Sequence, residues 1–328
     1  MDREKFRFWT VLLTAFITLV LIGGRQVQSQ ERYPNQPISI LVAFTPGGGT
    51  DSSCRLIAEY LKKRWGIPVN VVNKPGGQTL PANAELYSST PNGYTVLADQ
   101  ESCSSMIEFA ITNLPFKVMD RTFISTFCIT PFAFMVPSTS PYKSLKDAME
   151  DAKKDPEHFT WISLGGTSGH DWLFRQFFKV AGVDVSKTQP VMVKGGTEAA
   201  AMVGGGHVKI GSSPIVSSRA LAKSGALRYL AICRERNSEF PDVPTTAELG
   251  YPTINVATWV GFSGPPKLPS HIVDTWERTL KEIVKEPEFI SRLAGIGSNV
   301  FYLDSAGMRE FVKKQIEEIA ELWGKKEK

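Results

Sequence analysis

From Ile38 onward the chain alternates between two hydrophobic periods. ISILVAF (Ile38–Phe44) is an unbroken apolar run rich in β-branched residues, the pattern of a strand covered on both faces. DSSCRLIAEYLKKRWG then sets Leu56, Ile57, Tyr60 and Leu61 on one helical face, and Gly66 and Pro68 stop it. VNVVN, a turn and short helix in PGGQTLPANAELYSS, and GYTVLA complete a strand–helix–strand–helix–strand series. At this spacing the series predicts a parallel sheet with covering helices. A long β-rich crossing, Phe123–Pro137, breaks the rhythm. Beyond it SLKDAMEDAKK, FTWIS, DWLFRQFFKVAG, QPVMV, TEAAAMVGG and HVKIGS repeat the same alternation. ALRYLAICRE, from Ala226, reads as a second crossing, and the tail from Ser270 is helical. Its last helix carries a stripe of Met308, Phe311, Val312, Ile316 and Ile319, which with Phe174, Phe177 and Phe178 is assigned to the core. Two αβ halves joined by two crossings predict an α/β protein of two lobes, each with a mixed, mainly parallel sheet. Residues 30–130 plus 232–328 form the first lobe and 131–231 the second, with the crossings as hinge strands.

The N-terminus follows a different pattern. Arg3, Lys5 and Arg7 precede an uncharged run from Phe8 to Gly24, and small or modest residues follow at Val27–Ser29. Residues 1–29 therefore read as a secretory signal cleaved after Ser29, with a retained membrane anchor as the second reading. The full chain of 328 residues carries +4, and loss of 1–29 removes four basic and two acidic residues to leave +2. Charge so near neutrality and so evenly mixed excludes a nucleic-acid footprint, so an anion must be bound by local structure. Four widely spaced cysteines (Cys54, Cys103, Cys128, Cys233) fit neither a metal site nor a small disulfide scaffold. Free buried thiols and a single bridge both remain open.

Gly-Gly-Thr occurs three times, at Gly48–Thr50, Gly165–Thr167 and Gly195–Thr197, each time between a predicted strand and a predicted helix. Glycine permits a sharp turn and a close ligand, and threonine is a good N-cap. The first turn of the helix leaves N–H groups unpaired at the positive end of its dipole. In open parallel sheets such turns lie at the carboxyl edge of the strands, where ligands bind. One turn from the first lobe facing two from the second would suit a small anion. The same residues could serve as capped turns that bind nothing.

Enzyme signatures are sparse. There is no GxxxxGK[ST] loop, and GGGTDS lacks the last glycine of a dinucleotide fingerprint. GTSGH (Gly166–His170) puts His170 where a nucleophile elbow needs glycine, and adjacent residues rarely form a nucleophile–base pair. The four histidines show no metal spacing, so no cofactor or metal is expected. A hydrolase or transferase built on Ser168 and His170 is the alternative to a binding protein.

YPNQPISILVAFTPGGGTDSSCRLIAEYL, VVNKPGG, TPNGYTVL, MVKGGTEAAAMVGGGHV, GALRYLAI and FPDVPTTAELGYP, in this order, resemble the blocks of tripartite tricarboxylate transporter substrate-binding receptors of the Bug or TctC type. The resemblance implies a periplasmic, type II-like Venus flytrap that captures a small organic acid and hands it to a membrane permease without chemistry. It also implies a monomer with no cofactor. Carried over, Thr45, Gly48, Gly49, Thr50 and Asp51 form the first-lobe side of the site; Gln78 and Gln100, where the chain departs from the family, are further candidates at the cleft. Thr167, Ser168, Gly169 and His170 form the second, with Gly195, Gly196 and Thr197 nearby, and Ser212, in another departing segment, is a further candidate. This chain departs from the family at PGGQTLPA (Pro75–Ala82), at Asp99-Gln100-Glu101 and at Gly211-Ser212-Ser213-Pro214. Those departures imply a ligand other than a plain dicarboxylate. Asp99 or Glu101 is expected to read an amino or other cationic group, unless the segment is a solvated turn.

Overall fold

A computed structural model describes residues 33–166 and 168–323 of the protein, and the signal assignment at 1–29 lies outside them. Among the described residues no helix is long and apolar enough to cross a membrane.

The first half of the fold is built as the hydrophobic pattern dictates. β1 (Ile38–Val42) pairs in parallel with β2 (Val69–Asn73) on one side and β3 (Thr95–Asp99) on the other, in register Ile40 with Val71 and Val96. Helix α1 (Gly49–Trp65) turns Cys54, Ile57 and Leu61 inward and ends on Gly66, whose φ of 69° only glycine adopts freely. Helix α2 (Leu80–Ser88) follows β2, and a single helical turn, α3 (Ile107–Ala110), follows β3.

β4 (Thr122–Pro137) is the first crossing, at the predicted place. Its residues as far as Pro131 pair antiparallel with β9 (Ala257–Gly264), and β9 pairs with β3. β10 (Asn299–Val300) closes the edge, giving the order β10-β4-β9-β3-β1-β2. From Phe132 the same strand pairs with β7 (Gly211–Pro214) and β8 (Leu227–Ile232), the core of a second sheet. β5 (Thr160–Ser163) and β6 (Gln189–Met192) pair in parallel, and one bridge from Trp161 to Ile210 ties them toward β7.

Two expectations need correction. The run from Ala226 is not the crossing: it is β8, paired with the second half of β4, and the chain re-enters the first sheet only at β9. The strand expected over HVKIGS lies further along, at Gly211–Pro214. Sequence propensity argues against a strand in Gly-Ser-Ser-Pro; tertiary pairing with β4 imposes it, and a Cβ at Gly211 would meet Val203 Cγ2 at 2.4 Å.

The second sheet is covered by α4 (Leu145–Lys154), α5 (Gly169–Ala181), α6 (Gly196–Gly204) and α7 (Ile215–Lys223). α4 and α5 each open on a capping box, Ser144 with Asp147 and Ser168 with Asp171. The phenylalanines of α5 are core, as expected: Phe174 and Phe178 pack on Trp161 with ring centroids 4.8 and 5.4 Å apart. Each such ring contributes about 1.5–3 kcal/mol by leaving water. Helices α8 (Ser270–Ile283), α9 (Pro287–Gly295) and α10 (Ser305–Trp323) return to the first sheet, where Met308 and Val312 pack on Trp259. All four cysteines are free and buried.

Candidate functional site

Three turns, distant in sequence, meet at one small cavity. Thr45, Gly48, Gly49 and Thr50 come from the β1–α1 turn, Ser168, Gly169 and His170 from the start of α5, and Gly195 and Gly196 from the start of α6. Each contributes the opening of a helix, where N–H groups have no partner within the helix. The cavity measures about 40 Å³, space for a few waters. Among the described residues lining it there is no lysine or arginine.

The walls touch. Gly49 N–H donates to Ser217 Oγ of α7 at 2.9 Å, and a Cβ on Gly195 would lie 3.2 Å from Thr45 Oγ1. Gln78, expected in the site, stands outside the cavity and donates through Nε2 to Gly165 O at 3.0 Å, tying the turn after β2 to the turn after β5.

The remaining assignments sort by geometry. Asp51 does not line the cavity. One helical step beyond Thr50, its carboxylate accepts from Arg55 Nε and Nη2 at 2.9 Å, from Asn73 Nδ2 at 2.8 Å and from Gly47 N–H at 2.8 Å. Burial alone would raise the Asp51 carboxyl, but these donors hold it below the usual range, so it braces the glycine turn from behind. Thr197 points to solvent on α6, and Thr167 lies outside the described residues. Ser212 sits behind the wall, its Oγ 3.3 Å from His170 Nδ1. Gln100 lines the cavity, with its side-chain amide 3.4 Å from Thr50 Oγ1 on one side and against the Glu101 carboxyl on the other.

Ser168 Oγ donates to Asp171 Oδ2 at 2.6 Å inside the capping box, and Ser163 Oγ meets the other oxygen. His170 is turned toward Ser212 and packs edge-on to Phe132, ring centroids 5.0 Å apart. Burial pushes its imidazole down to about 4, with the Asp171 charge opposing, so it is neutral at pH 7. Ser168 is thus engaged as a helix cap and His170 as a neutral wall.

The segment after β3 is not a solvated turn, since Asp99, Gln100 and Glu101 are all buried. Asp99 is committed to the core: Arg121 Nη1 donates to its Oδ2 at 2.9 Å, and Ser263 also donates there. The same guanidinium reaches Asn83 Oδ1 at 2.8 Å and Cys103 O at 3.0 Å. Glu101 instead lines the cavity. Thr258 Oγ1 donates to its Oε1 at 2.8 Å, and burial lifts the carboxyl to about 8 against the pull of that hydrogen bond.

Sequence reasoning missed Phe44, Phe132, Ser217 and Thr258 in the lining. Phe44 and Phe132 look like core in a hydrophobic pattern. Ser217 and Thr258 ride on α7 and β9, elements whose existence the pattern did not announce.

An α/β frame of two sheets joined through one long strand, closing a cavity ringed by helix starts, is the architecture of the periplasmic solute-binding proteins. A structure described as a periplasmic transporter shares it at a TM-score of 0.83 and 26% identity, over 89% of this chain and 98% of that one. MatC of Rhodopseudomonas palustris with bound malate follows at 0.81 and 21%, covering 89% and 100%. A second R. palustris protein, with adipate, gives 0.83 and 22%, covering 89% and 98%. Residues 53–326 match the tripartite tricarboxylate transporter family receptor, TctC, and the chain belongs to this family. Its relatives include a UPF0065 protein of Cupriavidus necator, 27% identical over 96% of this chain and 95% of that protein. BugT of Bordetella pertussis is 26% identical over 88% and 89%.

Proposed function

We propose that the protein is a periplasmic receptor that captures a small organic carboxylate between two lobes and delivers it, as a monomer, to a tripartite tricarboxylate-type permease. The observation that carries this reading is the convergence of the β1–α1, α5 and α6 helix starts on one cavity. The site residues we assign are Thr45, Gly48, Gly49, Thr50, Gln100, Ser168, Gly169, His170, Gly195 and Gly196. Malate and adipate in proteins of the same fold support a carboxylate as the ligand class. Charge-assisted hydrogen bonds contribute about 1.5–3 kcal/mol each, so two or three support micromolar affinity after the entropy of binding.

The lobes we assign follow the two sheets. The first boundary falls within β4 near Pro131, and the pairing of β8 and β9 favours a second boundary near residue 256 rather than 231. A cavity this small admits a di-acid only when the walls part, which favours closure about these crossings.

A thermal-shift screen with carboxylates tests the reading. Ligand at about 100 times its dissociation constant adds about 2.7 kcal/mol of stability, a shift of several degrees. A panel of mono- and dicarboxylates, malate and adipate included, that moves the midpoint nowhere would refute it.

A further inference from the structure

Glu101 lines the cavity on the turn after β3 and is 1% exposed. Apart from Gln100, every hydrogen-bonding group set against its carboxyl is a donor, and Asp99 adds only negative charge. Thr258 Oγ1 donates to Oε1 at 2.8 Å, and the main-chain N–H groups of Glu101 and Trp259 also donate to it. The side-chain amide of Gln100 lies 2.8 Å from Oε1 and 2.9 Å from Oε2; its nitrogen donates to the ionised carboxylate, and turned over its oxygen accepts the O–H of the neutral acid. The fixed donors suit an ionised carboxylate, and the amide can turn to serve either protonation state. What this shell lacks is a positive charge. Among the described residues the lining holds no lysine or arginine, Arg121 is paired with Asp99, and His170 is neutral. From the packed elements, Thr258 and Trp259 of β9, Phe132 of β4, and Gly169 and His170 of α5 bring no cation to it.

Resting on the carboxylate-receptor reading, we propose that Glu101 pairs with a protonated amino group on the ligand. The ligand class is then the small zwitterionic amino acid or amino-substituted acid. The helix starts meet its carboxylate and Glu101 meets its ammonium, so neither lobe needs a cationic side chain. Burial without a cationic partner raises the free carboxyl to about 8, so it keeps its proton at neutral pH. An arriving ammonium favours the ionised form, and the proton leaves to the buffer.

Calorimetric titration of the full chain at pH 7 compares L-aspartate with succinate and L-alanine with propionate. The amino member of the pair that fits is expected to bind about tenfold or more tightly than its analogue. It should also release about one proton, read from the dependence of the enthalpy on buffer ionisation heat. Glu101→Gln is expected to bring the ratio to within about threefold. Should that variant not fold, proton release by the wild type decides alone. Equal affinity within a pair, or amino-acid binding without proton release, overturns the proposal and leaves the receptor reading standing. So does binding of succinate, propionate, malate or adipate when neither amino acid binds. Failure of all six compounds overturns both.

Discussion

Gly49→Ala sets helix propensity against lobe closure. Gly49 is the first residue of α1, and its φ is not in the left-handed region, so alanine suits the local backbone and is favoured by up to about 0.5–1 kcal/mol in a helix. Its Cβ, however, would stand 2.6 Å from Val216 Cγ1 and 3.4 Å from Ser217 Oγ on α7. Carbon atoms pack at about 3.5–4.0 Å, so the methyl intrudes by roughly 1 Å. Val216 is β-branched and held near one rotamer on its helix, which leaves separation of the walls as the main relief. Overpacking of this kind costs about 1–3 kcal/mol. On the proposed closure of the lobes the contact forms as the walls meet, so that cost falls on binding, a loss of roughly 5- to 150-fold in affinity. Calorimetry with the best carboxylate from the screen reads the loss, and urea denaturation without ligand should show a stability no lower than wild type. Adding Val216→Ala should return affinity to within about threefold. Unchanged binding in Gly49→Ala, or no recovery in the double variant, would refute the idea that this seam is the closing surface.

Three further outcomes follow from buried charge and burial of thiols. Arg121→Met leaves Asp99 uncompensated at zero exposure and should destabilise the fold by about 3–5 kcal/mol in urea, with Asp99→Asn in the same chain recovering part. Glu101, raised from 4.5 to about 8, contributes stability fully present below pH 4.5 and lost as pH rises toward 8, about 1.4 kcal/mol per unit. His170, lowered from 6.5 to about 4, acts in the opposite sense, its stability being lost as pH falls from 6.5 toward 4. In a scan of denaturation midpoints Glu101→Gln should flatten the alkaline limb and His170→Gln the acid one; an unchanged limb rejects the corresponding assignment. The four buried thiols, with Cys128 and Cys233 pushed up to about 12 by burial, should resist an aromatic disulfide reagent in the native state and all react in urea. Rapid native labelling would contradict that.

How far the fold and site could be read depended on whether their causes were local. β1 is legible because a strand buried on both faces must be apolar throughout, and α4 and α5 because SLKDAMEDAKK and DWLFRQFFKVAG carry the helical period. The Gly-Gly-Thr turns are legible as strand-to-helix turns, but not through a threonine cap: the N-caps are Gly48 and Gly195, and Thr50 and Thr197 lie inside their helices. β9 was not read, because ATWVGFSG mixes glycines with aromatics and shows neither period, and it exists through pairing with β3 and β4. With β9 and α7 went Thr258 and Ser217. Asp51 illustrates a different limit: it follows Thr50 directly, yet one helical step turns its side chain away toward Arg55 and Asn73. Choosing between Asp99 and Glu101 required the position of Arg121, 22 residues beyond Asp99, which no local pattern supplies.

The glycines around the cavity divide into two kinds. Gly47 and Gly166 have φ of 77° and 83°, and a methyl added at either would meet nothing within 4 Å, so they make the turn. Gly49, Gly169 and Gly196 need no special φ, but a Cβ there would meet Val216 at 2.6 Å, Phe132 at 2.7 Å and Ser217 at 2.9 Å. Those positions require glycine because another surface arrives there. Around the first turn the two kinds stand side by side, Gly47 bending the chain and Gly49 admitting the facing wall; at the second they are Gly166 and Gly169, and the third supplies only the close approach at Gly196. Helix starts add about 0.3–1 kcal/mol each to a bound anion near the surface, and up to about 2 when partly buried. With no lysine or arginine in the described lining, several must act together in a water-poor space. If the lobes close as proposed, that arrangement is complete only with the walls in contact, and affinity for an anion and the steric need for glycine at the seam then share one origin.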